Sequence, residues 1–168
     1  TCALPIFVMD TSGSMADRLV YNSSDAKIKV AKDTADNFIS KFKGNSNINV
    51  ALVKFGSTAE KVELNNRWNS LIFANLGEDN QYDDLHEKIN GRNSVLDPDG
   101  ATNIGDGLRI AYHLLNNSAD KNRKKYIILM TDGMPTAFSY NTLYNEYSYN
   151  PNPWDSNRHV DYNTEQIG

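Results

Sequence analysis

Residues 5 to 15 read PIFVMDTSGSM, an apolar run that stops at Asp10 and gives way to Thr11, Ser12, Gly13 and Ser14. A short unbroken apolar run closed by turn-forming residues is the pattern of a strand buried on both faces. The cluster after it places one carboxylate and three hydroxyls at the carboxyl end of that strand. Such residues are ordinary turn formers, so the rest of the chain has to say whether they form a turn or one edge of a binding site.

The strand pattern returns twice. INVALVKFG at 48 to 56 predicts a second strand, and KKYIILMTDG at 124 to 133 predicts another that closes at Asp132. TAEKVEL at 58 to 64 alternates like a half-exposed strand, paired with the second through a tight turn at Gly56 and Ser57. Between these runs lie helical spacings. Ser24 or Asp25 caps a helix with apolar positions Ile28, Ala31, Ala35, Phe38, Ile39 and Phe42, ended by Gly44; a second spans 82 to 89; a third follows Thr102 through Ile104, Leu108, Ala111 and Leu115. Strands alternating with helices imply an α/β fold around a parallel sheet. Residues 66 to 78 fit no period and read as an insertion, and the Tyr/Asn-rich stretch 134 to 168 shows neither period, reading as an arm or loop.

A length of 168 residues with 39% hydrophobic and 23% charged content fits a single domain with a real core. A formal net charge of -4 and a pI near 5.3 supply no general attraction to nucleic acid or anionic membrane. PIFVM and YIILM are too short to cross a bilayer, so no membrane insertion is expected within this segment. The lone Cys2 carries no redox information. The chain begins with Thr1, which reads as a processed product or an excerpt, and no targeting signal is visible.

In an open α/β sheet, ligands gather at the carboxyl ends of the parallel strands. Asp10, Ser12 and Ser14 stand at one such end and Asp132 at another, and Thr102, within DGATN, stands just before a helix. Five oxygen donors with no His or Cys among them suit Mg2+, Mn2+ or Ca2+ rather than zinc.

These residues resemble a known family. DTSGSM has the form Asp-x-Ser-x-Ser, and together with ATN at 101 to 103 and TDG at 131 to 133 it is similar to the metal-ion-dependent adhesion site of von Willebrand factor type A domains. The resemblance covers residues 3 to about 135. It implies a three-layer, doubly wound, Rossmann-like fold with a mostly parallel sheet, one antiparallel edge strand and a truncation on the C-terminal side. It further implies that Ser12 and Ser14 ligate the metal directly, that Thr102 does so directly or through water, and that Asp10 and Asp132 act largely through water. An acidic side chain of a protein ligand would complete the sphere. The insertion and the phrase TNIGDGL look closest to bacterial surface and pilus-associated members, which implies an extracellular or cell-surface module whose partner is a host matrix protein or a sibling surface subunit. An intracellular subunit of an ATP-driven, chelatase-like complex is the alternative, because the same domain type occurs there.

Enzymatic readings lack parts. Position 12 is Ser, so the Asp-x-Asp of a phosphatase is incomplete; TSGSM is not Gly-x-Ser-x-Gly; and there is no Gly-x-x-x-x-Gly-Lys phosphate loop. His86 reads as a solvated helix residue, His113 as packing or surface, and His159 stays uninterpreted. Tyr140, Tyr144, Tyr147, Tyr149 and Trp154 form either a recognition surface or a packed arm. NRKK at 122 to 125 reads as a solvated turn, and the sequons at Asn22 and Asn116 matter only in a eukaryotic secretory pathway.

Overall fold

A computed structural model describes residues 2–21, 24–65, 70–119, 121–141 and 162–166; for 65, 140, 141 and 162–166 only the backbone is described. In chain order the elements are β1 (Ala3–Asp10), a 3-10 turn (Gly13–Ala16), α1 (Lys27–Ser40), β2 (Asn49–Phe55), β3 (Ala59–Lys61), β4 (Leu64–Asn65), β5 (Ser70–Leu71) and β6 (Ala74–Asn75). There follow α2 (Asp79–Asn90), α3 (Ile104–Asn117), β7 (Lys124–Met130), β8 (Ala137–Asn141) and β9 (Tyr162–Gln166).

The first apolar run becomes the central strand. β1 is parallel to β2, with Ile6 opposite Ala51 and Asp10 opposite Phe55, and parallel to β7 on its other side, with Ala3 opposite Lys124 and Met9 opposite Met130. β3 pairs antiparallel with the outer edge of β2, and β6 adds a short antiparallel contact at Asn49 and Val50 of the same strand. The order is therefore β3-β2-β1-β7, a mostly parallel sheet with an antiparallel edge, as the sequence resemblance implies.

Unbroken apolar runs are required because helices cover both faces. Phe7, Met9, Val50 and Leu52 pack on one side with Ala35 and Ile39 of α1 and Leu85 and Ile89 of α2. Leu4, Ile6, Val8, Ala51, Val53 and Phe55 pack on the other with Ala111 and Leu115 of α3. α3 approaches this second face very closely. A Cβ placed on Gly107 would lie 2.8 Å from the Phe55 ring and 3.0 Å from Val8, so only glycine allows that approach.

Four details differ from the sequence expectations. α1 begins at Lys27 with Ala26 as N-cap and no capping side chain, not with Ser24 or Asp25, because Asp25 offers its backbone oxygen to Leu19 N and residue 26 bridges to Arg18. The half-exposed strand expected at 58 to 64 is shorter, splitting into β3 and β4. Within the stretch read as an insertion, the described residues 70–78 contribute β6 to the main sheet and bury Leu76 completely, in elements too short to show a period. The tail contains an antiparallel pair, β8 with β9, where no strand was expected; Tyr140 lies in β8, whereas Tyr144, Tyr147, Tyr149, Trp154 and His159 lie outside the described residues.

On the side away from β2, β7 pairs only with β1 among the described residues, with no further strand along it. Ile127 and Leu129, which lie beside Ile6 and Val8 in register, remain 40% and 39% exposed. No described helix is long and apolar enough to cross a membrane.

Candidate metal centre

Parallel register brings the ends of β1 and β7 side by side. Thr131, the first residue after β7, donates its hydroxyl to Asp10 Oδ2 at 2.6 Å, and Ser12 N donates to Asp10 Oδ1 at 2.8 Å. Asp10 is fully buried and forms no ion pair within 4.0 Å among the described residues, the Lys27 ammonium acting on it only through space. A buried carboxylate in that state is costly unless a positive charge lies near it.

The 3-10 turn then folds Ser14 back over Ser12. Met15 N donates to Ser12 O at 3.0 Å, and the buried Met15 side chain anchors the turn in the core. The Ser12 and Ser14 hydroxyls consequently lie 3.2 Å apart. Ser14 Oγ also donates to Asp132 Oδ1 at 2.9 Å, although 118 positions separate the two residues.

Thr102 arrives on a third loop. Asp99 N donates to Thr11 O at 2.6 Å and Gly13 N to Gly100 O at 2.9 Å, which clamps this loop against the first. Gly100 has φ of 75°, a left-handed conformation suited to glycine. Thr102 is buried, and its backbone N donates to Thr136 Oγ1 at 2.9 Å while its carbonyl accepts from Thr136 N at the same distance. Asn103 caps α3 by accepting from Asp106 N, and its side-chain amide donates to Ser57 O at 3.0 Å and Ser139 Oγ at 2.7 Å.

The structure thus brings Asp10, Ser12, Ser14 and Asp132 into one hydrogen-bonded constellation, with Thr102 on the loop packed beside it. Two residues not singled out from sequence join them. Thr131 was visible inside TDG, but Lys27 carried no local signal. Its Nζ donates to Asp132 Oδ2 at 2.6 Å. Burial alone would raise the Asp132 carboxyl, but hydrogen bonds from Lys27 and Ser14 outweigh it and hold the group below the usual carboxylate range. The hydrogen bond to Asp132 in turn raises Lys27.

No group of three or more His, Cys, Asp or Glu side chains able to hold a metal occurs among the described residues. A cation here would rely on hydroxyls and two carboxylates, an all-oxygen donor set that fits a hard divalent ion. The Lys27 ammonium already standing on Asp132 is the structure's own indication that the place attracts positive charge. The two described His residues lie elsewhere: His86 is paired with Asp36 at 2.5 Å, and His113 is buried on α3.

Residues 6–134 match the von Willebrand factor type A domain family, and the chain belongs to it. Among solved structures it is similar to the PilB minor pilin from Streptococcus sanguinis, at 29% identity and a TM-score of 0.69, with 90% of this chain and 35% of that one covered. The adhesive tip pilin GBS104 from Group B Streptococcus agalactiae follows at 22% identity and a TM-score of 0.62, covering 89% and 50%. The vWF domain of the type V pili tip protein Mfa5 from Porphyromonas gingivalis gives 21% and 0.61, covering 86% and 42%. At those last identities the likeness is one of fold. The chain spans about a third of the length of the pilin PilB. No curated protein matches it.

Proposed function

We propose that this domain is a non-enzymatic, divalent-metal-dependent protein-binding module of a bacterial surface or pilus-type protein. The observation that carries the reading is the convergence of Asp10, Ser12, Ser14 and Asp132 from two strand ends into one oxygen-lined site at the rim of the sheet. Likeness to pilus proteins supports the surface setting over an intracellular complex.

Ser12, Ser14 and Thr102 would hold Mg2+, Mn2+ or Ca2+, with Asp10 and Asp132 behind them. Bound there, the cation would supply a Lewis-acidic position for a carboxylate of the partner. Neutral hydroxyls leave its charge under-compensated, so an acidic side chain of a host matrix protein or sibling subunit gains strongly by approaching. Leu19, Val20 and Tyr21, on the loop after the 3-10 turn, and Met134, just past Asp132, are 52%, 62%, 94% and 83% exposed and offer apolar contact around that carboxylate.

The test is a binding screen of the immobilised domain against matrix proteins and surface subunits, run in Mg2+ and in EDTA. Binding is expected to disappear in chelator, to return with Mg2+, and to depend on one acidic residue of the captured protein. Binding that persists in EDTA refutes the metal-dependent reading and shifts attention to Tyr140, Tyr144, Tyr147, Tyr149 and Trp154.

A further inference from the structure

Lys27 opens α1, where a positive side chain opposes the helix dipole. Helix stability therefore gives no reason for a lysine at this position. What the position does provide is reach. Its backbone N–H donates to Asp17 O at 2.9 Å, which fixes the first turn of α1 against the loop leaving the 3-10 turn. From there Nζ stands 2.6 Å from Asp132 Oδ2 and 4.0 Å from Asp17 Oδ2. The two carboxylates differ in setting: the Asp132 side chain is 10% exposed and sits inside the constellation, whereas that of Asp17 is 71% exposed and faces solvent.

We propose that Lys27 is a built-in counter-cation that occupies Asp132 in the metal-free protein and transfers to Asp17 when a divalent ion enters. The proposal rests on the metal-site reading above and adds a competitor to it. Asp132 has two oxygens, one accepting from Ser14 and the other from Lys27, so each already carries a donor. An incoming cation that needs Asp132 meets a second positive charge a few ångströms away, and the repulsion is large in a partly buried site. Asp17 offers the ammonium another seat without moving the helix. Lys27 thus offsets the negative charge of Asp132 when no metal is bound, at the cost of weaker metal binding.

Three variants of the full chain separate the possibilities: Lys27→Met removes the competitor, Lys27→Arg keeps its charge, and Asp17→Asn removes the alternative seat. Affinity is read by Mn2+ titration with detection of free Mn2+ by electron paramagnetic resonance, alongside thermal melts of the metal-free proteins. Lys27→Met is expected to bind Mn2+ about tenfold more tightly than the parent and to melt lower without metal, since it leaves Asp132 unneutralised. Lys27→Arg is expected to match the parent, and Asp17→Asn to bind about threefold more weakly. If the parent binds Mn2+ and Lys27→Met binds it equally well, the competition is overturned while the metal site stands. If neither the parent nor any variant binds Mn2+, the metal-site reading itself falls. Should Lys27→Met not fold, an Asp17→Asn affinity equal to the parent's overturns the proposal.

Discussion

Asp10 and Asp132 are both carboxylates at strand ends, yet their surroundings assign them different work. Asp10 is held by Ser12 N and Thr131 Oγ1 and is fully buried, so its position at the end of β1 is fixed. Asp132 accepts from Ser14 on one oxygen and from Lys27 on the other. Its lowered pKa means that the stabilisation from this pairing is complete above the ordinary value of 3.8 and is lost as pH falls through the depressed folded value. Replacing Ser12 by Ala together with Asp132 by Ala removes one hydroxyl and one supporting carboxylate. Isothermal titration with Mg2+ is expected to show at least about a tenfold loss of affinity; an unchanged affinity would place the metal elsewhere. Legibility at this scale followed locality. Asp10, Ser12, Ser14 and Asp132 stood out because each sits beside a strand end, whereas Lys27 meets Asp132 across 105 positions and nothing near it in the chain says so.

Among the elements, α3 depends most on one buried polar residue. Asn103 is 1% exposed, its N–H donates to Gly56 O at 2.9 Å, and its amide ties together the loop after β2, the start of α3 and β8. Asn103→Leu would leave Ser57 O and Asp106 N without their partner inside the fold. Each buried group left unsatisfied costs about 1–3 kcal/mol. Urea unfolding is expected to show a clearly lower midpoint with an unchanged slope, and an unaltered midpoint would mean that water replaces the amide without penalty. The long elements were readable because α1, α2 and α3 repeat their apolar positions over several turns and β1, β2 and β7 keep continuous apolar runs. β4, β5 and β6 span only two residues each, too few to establish a period. The start of α1 was misplaced because Asp25, a good capping residue by type, is engaged by its backbone with Leu19.

For the whole molecule, the exposed side of β7 is the outstanding physical feature. The β2 edge is capped by β3 and β6, but β7 pairs only with β1 among the described residues, and Tyr126, Ile127 and Leu129 are 48%, 40% and 39% exposed. An apolar edge with open backbone groups is a template for strand addition. The 168-residue chain by itself is expected to associate as its concentration rises, seen by size-exclusion chromatography with light scattering, and Ile127→Lys is expected to suppress that association. A monomer at every concentration would mean that this edge is covered by other parts of the chain.

Strand and helix periods, the turn residues after each strand, and the oxygen-rich character of three strand ends all arise from neighbours within a short window. They could therefore be read from residues 3 to about 135 without coordinates, as could the mostly parallel sheet they imply. Which side chains meet across that rim is a different matter. The Ser14–Asp132, Thr131–Asp10 and Lys27–Asp132 contacts span 118, 121 and 105 positions, and each exists only because the parallel register of β1 with β7 and the seating of α1 on the sheet close those distances. Local composition carries no record of such closures, because the free energy that fixes them comes from the apolar faces packed between helix and sheet rather than from the polar residues they bring together.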